Sequence, residues 1–105
     1  MTSRYDALKF GASRDPRATY FDGVAQELMA ERAAALGWAG RAVEDALARL
    51  NDGAEPADRE ALLKAAATAV WTFFVQREAC GFRDQKGVIA HYAIPKAVLA
   101  RLGAR

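Results

Sequence analysis

Apolar and small residues recur at helical spacing along the first half of the chain. From position 21 to position 50 they follow one another mainly at intervals of three, four and seven, which is the repeat of one face of an α-helix. The positions are Phe21, Val24, Leu28, Ala35, Ala39, Val43, Ala46 and Leu50. Asp15 as N-cap and Pro16 at the first helical position predict the start, with Thr19 or Asp22 as a later alternative. The turn residues at 51–53 predict the end.

Two glycines interrupt this pattern, at positions 37 and 40. Each weakens a helix by about 1 kcal/mol relative to alanine, so a kink or a break is one alternative. Because the apolar stripe stays in phase on both sides of Gly37 and Gly40, the pattern favours one continuous helix. The two glycines would also let a neighbouring helix approach closely.

The second predicted helix is apolar around most of its circumference between Ala65 and Val75. We predict that it begins at Asp58 and ends at Cys80, with Gly81 in the left-handed position that follows a helix. Its narrow polar strip consists of Glu60, Lys64, Thr68, Thr72 and Gln76. A helix of this kind has to be covered on more than one side, and it is therefore the predicted core helix.

Two short helices are predicted at the end of the chain. Asp84 is placed to cap a helix over roughly Gln85 to Tyr92, and Pro95 is expected at the first position of the next. The residues expected to face inward there are Val98, Leu99 and Leu102, and Gly103 is expected to stop the helix.

The domain organisation follows from the same pattern. Residues 1–14 show no sustained repeat, and we predict an N-terminal arm that is either flexible or docked through Tyr5, Leu8 and Phe10. Residues 15–105 are predicted to form a single helical domain, because no linker, repeat or low-complexity tract divides them.

Composition limits both the core and the chemistry. Hydrophobic residues make up 52% of the 105, but about a quarter of the chain is alanine, which buries little area. The longest uncharged run, positions 65–76, is too short to cross a membrane. The first basic residues are not followed by the apolar run that a signal peptide needs. We therefore expect a cytoplasmic protein. One cysteine and one histidine cannot supply a usual zinc site, and we expect no metal and no cofactor.

Four residues near the end of the second helix are candidates for a ligand-binding or catalytic pocket: Arg77, Glu78, Cys80 and His91. A thiol and an imidazole form a nucleophile–base pair when they lie within hydrogen-bonding reach. The C-terminal end of a helix opposes thiolate formation, however, which favours an ordinary half-buried cysteine. The corresponding ordinary interpretations are a salt bridge to the first helix for Arg77 and Glu78, and a helix-end or solvent-facing position for His91.

Residues 84–105 also place their apolar side chains as a helix-turn-helix does. The small Ala93 occupies the turn, and Lys96, Arg101 and Arg105 would give the second helix a basic face for DNA. Against this, that helix is short and has no Asn or Gln to contact base edges, and two helices joined by a tight turn also close a bundle. A small DNA-binding regulator is therefore an alternative hypothesis.

Several segments resemble a family of short alphaproteobacterial proteins that is a domain of unknown function. They lie at 76–84, 92–95 and 100–103, together with 27–31 and 36–41. The resemblance covers about residues 20 to 103 and leaves the arm outside. It implies a small all-helical cytoplasmic protein and transfers no activity to this chain.

We therefore expect an all-α fold: a small helical bundle with one long helix, an apolar core helix antiparallel to it, and two short C-terminal helices. Because these elements cannot fully cover positions 65–75, we expect a homodimer in which the long first helices pack together. The sequence shows a patterned scaffold without a catalytic constellation. The leading functional hypothesis is a non-enzymatic protein-interaction or homo-oligomeric structural protein, with an unidentified protein partner as a further possibility.

Overall fold

Four α-helices make up most of the chain in the computed structural model, which describes residues 16–53 and 55–103. They are α1 (Pro16–Asn51), α2 (Pro56–Ala79), α3 (Gln85–Tyr92) and α4 (Lys96–Leu99). The described residues contain no β-strand, so the predicted all-α class is confirmed. The predicted arm, residues 1–14, lies outside the described residues.

The chain divides into two compact units, residues 1–31 and residues 32–105. In the first unit the structure describes residues 16–31, which are helical. Their large apolar side chains are mostly exposed: Tyr20, Phe21, Leu28 and Met29. The second unit contains the rest of α1 and the three other helices. The single helical domain expected over 15–105 stays a prediction.

Helix α1 runs from Pro16 to Asn51 without a break, as the stripe of apolar residues predicts. Its continuity through Gly37 and Gly40 is confirmed, and the two glycines differ in their surroundings. A Cβ at position 40 would lie 3.1 Å from the Tyr92 hydroxyl oxygen and 3.4 Å from the ring of Phe73. The expected close approach of another element therefore occurs at Gly40.

Helix α2 begins two residues earlier than predicted, at Pro56. Proline fits the first turn of a helix because it lacks the N–H that would be unpaired there and its φ angle is already helical. Asp58 lies within this first turn. At the other end Cys80 is the C-cap and Gly81 has a φ of +92°, as predicted. The Gly81 N–H donates to the Glu78 carbonyl oxygen at 3.0 Å, which closes the helix end.

Helix α3 has the predicted bounds. The Asp84 carboxylate accepts a hydrogen bond of 3.1 Å from the Gly87 N–H, which satisfies one of the unpaired donors of the first turn. Ala93 ends the helix in the left-handed conformation, with a φ of 53°. Helix α4 is a single turn, and Pro95 is its N-cap instead of its first helical residue.

The core of the second unit is assembled from all four helices and the turn at Ile94. Its buried residues are Ala39, Val43, Leu47 and Leu50 from α1, Leu63, Ala66, Ala67, Val70, Phe73 and Phe74 from α2, and Val88, Ile94 and Val98 from the C-terminal part. Leu99 and Leu102 are partly buried against this core, in keeping with their predicted inward orientation.

Three valines mark the centre of this core. Val43, Val70 and Val98 are fully buried, and they come from α1, α2 and α4 respectively. Val98 lies in a helix of one turn, and a helix this short is not stable by itself. The burial of the Val98 side chain in the core therefore holds α4 in place. No helix in the described part of the chain has both the length and the apolar character needed to cross a membrane.

Candidate functional site

Two concave regions in the second unit share a wall. The larger, which we call the α1–α2 groove, has a volume of about 430 Å³ and is lined by Ala33, Leu36, Gly37, Gly40, Arg41, Glu44, Phe73 and Tyr92. The smaller, which we call the Arg77 cavity, has a volume of about 230 Å³ and is lined by Phe73, Arg77, Asp84, Gly87, Val88, His91 and Tyr92. The common wall is formed by Phe73 and Tyr92, whose rings meet edge to face with centroids 5.5 Å apart.

The floor of the α1–α2 groove is apolar because of how three helices meet. Gly37 and Gly40 carry no side chain, so the surface of α1 recedes between Leu36 and Glu44. Phe73 from α2 is buried and Tyr92 from α3 is half-buried. Rings from two other helices thus close one side of a shallow trough along α1.

Charged side chains border this groove. The Arg41 guanidinium lies over the Trp38 ring, with 4.6 Å between its carbon and the ring centroid, and Glu44 lies one turn further along α1. Neither Arg41 nor Glu44 forms a salt bridge to another described residue. Trp38 itself is exposed, so the guanidinium and the indole together form a solvent-facing edge of the groove.

The Arg77 cavity is bordered by charges that already have structural contacts. Arg77 donates a hydrogen bond of 3.2 Å to the backbone carbonyl of Asp84, and its guanidinium lies 5.2 Å from the centroid of Phe82 and 5.9 Å from that of Phe73. The Asp84 carboxylate caps α3. These two groups therefore hold the turn between α2 and α3 in place.

The structure brings together two of the four pocket candidates. Arg77 and His91 both line the Arg77 cavity, and the His91 ring packs edge to face on Tyr92 at 4.9 Å. Glu78 and Cys80 are not among its lining residues. Cys80 is half-buried with a free thiol, and no hydrogen bond joins its thiol to His91 in the described structure. The prediction of a salt bridge between Arg77 and the first helix is wrong, because the Arg77 guanidinium donates its hydrogen bond to the backbone carbonyl of Asp84.

The candidates for DNA contact have different surroundings. Lys96 is exposed at the start of α4, and Arg105 lies outside the described residues. Arg101 is engaged within the protein: its guanidinium donates to both carboxylate oxygens of Glu60, at 2.7 and 2.9 Å, and to the Ala97 carbonyl at 2.6 Å. Its hydrogen bonds lower the pKa of the Glu60 carboxyl below its ordinary value.

The sequence placed Glu60 only in the polar strip of α2. Its partner Arg101 is 41 residues further along the chain. The helical repeat of a sequence does not indicate a contact between two positions so far apart. The α1–α2 groove is likewise formed by three helices whose packing no single segment encodes. Within the described part of the chain, no group of three or more His, Cys, Asp or Glu side chains is placed to hold a metal ion.

These features define a small all-α protein with one long helix and a groove where α1, α2 and α3 meet. The chain belongs to a family of unknown function, DUF6665, whose model matches residues 3–105. The resemblance found in the sequence is thus confirmed, and it extends into the N-terminal arm. No curated protein and no solved structure matches the chain.

Proposed function

We propose that this protein is a non-enzymatic helical interaction protein that works as a homodimer through α1. The observation that carries this proposal is the exposure of large apolar side chains in the first half of α1. Phe21 is 64% exposed, Leu28 47% and Met29 69%. Single exposed apolar residues are common, but several on one short helical segment are typical of a binding surface.

The same side of α1 contributes to the core further along the helix. Met29, Leu36, Val43 and Leu50 are seven residues apart, which is almost two helical turns, so they follow one side of α1. Val43 and Leu50 are buried and Leu36 is half-buried. The sequence therefore continues a core-forming pattern into residues 16–31, where the described part of the chain leaves it largely uncovered. A second copy of α1 has the matching pattern.

Helix α2 supplies a second uncovered apolar surface. Trp71 is 50% exposed and Val75 is 47% exposed, although both belong to the apolar middle of the core helix. An apolar surface of this kind supports the proposal that a second copy covers part of α2.

The described pocket candidates do not form a pair of side chains arranged for catalysis, and this supports a non-enzymatic role. Arg77 and Asp84, which border the Arg77 cavity, are already engaged in hydrogen bonds of the turn between α2 and α3. Of the four pocket candidates only His91 lines that cavity without a polar contact to another described residue. A single imidazole without a partner is a poor basis for acid–base or nucleophilic chemistry.

Sedimentation velocity and light scattering at micromolar concentration test the proposal. We expect a mass twice the 11.4 kDa of the chain. Met29→Glu should shift the protein to the monomer, because it puts a charge into an apolar contact. Ala30→Glu is the matched control, since this exposed neighbour lies about 100° further around the helix and should leave the dimer intact. A wild-type monomer at tens of micromolar would contradict the proposal.

We also infer a cytoplasmic location. The support is chemical: the single cysteine cannot form a disulfide bond within the chain, and such bonds are typical of small proteins in oxidising compartments. Cell fractionation with a tagged protein tests this inference, and recovery of the protein outside the cytoplasmic fraction would contradict it.

A further inference from the structure

We propose that residues 16–33 of α1 pair with the same residues of a second copy of the chain in antiparallel orientation, with Phe21 of one copy against Leu28 of the other. This inference rests on the homodimer proposed above and specifies the orientation and the register of its contact. The contact is symmetric: the same surface of each copy takes part, and one two-fold axis closes the dimer.

Phe21 and Leu28 lie on the side of α1 that is buried further along the helix. Ala39 follows Leu28 by eleven residues and Leu50 follows Ala39 by eleven, and eleven residues make about three helical turns. Ala39 and Leu50 are buried in the core of the second unit, whereas Phe21 and Leu28 are exposed. The uncovered stretch of this side of α1 therefore ends where the chain covers it with its own core.

This limit favours the antiparallel orientation. In a parallel pair equal positions face each other, so the side that carries Phe21 and Leu28 would also face the partner at Ala39 and Leu50. The core of each copy already fills the space on that side, and the two cores would have to occupy the same volume. In the antiparallel pair, Pro16 at the start of α1 lies opposite position 33 of the other copy. The pairing therefore ends before it reaches the buried positions.

The charges of the segment support the same orientation. Arg17 and Glu31 lie seven residues before and after Val24, so these three residues follow one side of the helix. Antiparallel pairing brings Arg17 of each copy towards Glu31 of the other, whereas parallel pairing brings like charges together. Glu31 forms no salt bridge to another residue of the described part of its own chain. Because this pattern is complementary to itself, it favours a second copy over an unrelated apolar helix.

Disulfide formation at single engineered cysteines tests the orientation, in a Cys80→Ser background that removes the free thiol of the chain. Ala25→Cys should form a covalent dimer with oxidised glutathione, because the two copies of position 25 lie within about 2 Å of each other along the helix axis. Ala18→Cys should form it at least tenfold more slowly, since the two copies of position 18 are about 20 Å apart in this register. Non-reducing gel electrophoresis measures both rates.

Gly23→Cys is the matched control for random collisions between molecules. Position 23 is exposed, nothing lies within 4 Å of a Cβ there, and it is about 200° around the helix from Ala25. It should react as slowly as Ala18→Cys. Circular dichroism should show the same helix content in all three variants, so that a difference in rate reports on the contact.

The outcomes separate this inference from the proposed function. If the protein is a dimer and Ala18→Cys reacts as fast as Ala25→Cys, the pairing is parallel. If it is a dimer and neither reacts faster than Gly23→Cys, the contact lies elsewhere. Either result overturns this inference and leaves the homodimer standing, whereas a wild-type monomer overturns both.

A pair of cysteines tests the register without changing the centre of the contact. Phe21→Cys and Leu28→Cys combined in one chain should cross-link at least tenfold faster than either substitution alone, because each cysteine then faces the other kind across the two-fold axis. Within one chain the two positions are about 10 Å apart along the helix, too far for a disulfide bond. A double variant that reacts no faster than the single variants would contradict the assigned register.

Discussion

A Cβ at Gly40 would lie 3.1 Å from the hydroxyl oxygen of Tyr92, closer than side chains ordinarily pack. The buried ring of Phe73 would also be only 3.4 Å away. Alanine in place of a glycine inside a helix normally stabilises it by up to about 1 kcal/mol. At position 40 we expect this gain to be offset or reversed, because Tyr92 has to move to make room for the new methyl group.

Gly37 is the control for this prediction because it lies three residues away in the same helix. Its Cβ would make only an ordinary contact with Arg41, so Gly37→Ala should raise the free energy of unfolding by about 0.5–1 kcal/mol. Urea denaturation monitored by circular dichroism measures both variants. Equal stabilisation by Gly40→Ala and Gly37→Ala would contradict the close contact with Tyr92.

The ion pair between Glu60 and Arg101 predicts a dependence of stability on pH. Hydrogen bonds from Arg101 lower the pKa of Glu60, so the folded protein releases this proton more readily than the unfolded chain. The resulting stabilisation is complete above the pKa of Glu60 in the unfolded chain, about 4.3, and is lost as the pH falls through the lowered pKa of the folded state. Glu60→Gln should therefore be less stable than wild type at pH 7, with a smaller difference at pH 3.

Urea denaturation at pH 7, 5 and 3 measures this difference. Glu78→Gln serves as the control, because Glu78 is an exposed acid on the same helix with no salt bridge in the described part of the chain. Its effect on stability should be small at each pH. A Glu60→Gln difference that persists unchanged at pH 3 would show that the side-chain shape, and not the charge, is responsible.

The bounds of the helices could be predicted because local chemistry sets them. Pro56 occupies a first helical turn, Gly81 takes a positive φ after α2, and Asp84 caps α3. Each of these signals acts within four residues of itself. Two starts differ from the prediction: α2 begins at Pro56 in place of Asp58, because the proline fits the first turn, and α4 begins at Lys96 with Pro95 as its N-cap.

The candidate site could not be predicted in the same way. Tyr92 packs beside Gly40, and Arg101 binds Glu60, through contacts between helices that are distant in sequence. A helical period indicates which side of a helix is buried but not which residue of another helix covers it. The glycines at 37 and 40 indicated only that something approaches α1, and the structure assigns that approach to Gly40.

Gly87 and the cap residue Asp84 give a third prediction. A Cβ at Gly87 would lie 2.7 Å from Oδ2 of Asp84, whose other oxygen accepts the capping hydrogen bond. Gly87→Ala should therefore destabilise the protein by displacing the cap, with an effect of about 0.5–2 kcal/mol, like the loss of an N-cap. Asp84→Ala should have a loss of similar size.

The double variant distinguishes this explanation from a general intolerance of side chains at position 87. With Asp84 already replaced by alanine, the carboxylate is absent, and Gly87→Ala should become neutral or slightly stabilising because alanine favours a helix. Urea denaturation of the four proteins gives the coupling free energy. Simple additivity of the two losses would contradict the proposed displacement of the cap.

Ala93 ends α3 with a φ of 53°, a conformation that costs a residue with a Cβ roughly 1–2 kcal/mol. Glycine adopts it without that penalty but loses more chain entropy on folding, which removes about half of the gain. Ala93→Gly should therefore raise the free energy of unfolding by up to about 1 kcal/mol. Ala90→Gly, an exposed position within the same helix, should lower it by a similar amount, since glycine there has only the entropic penalty. If both substitutions destabilise the protein equally in urea denaturation, the turn after α3 is not held in the left-handed conformation.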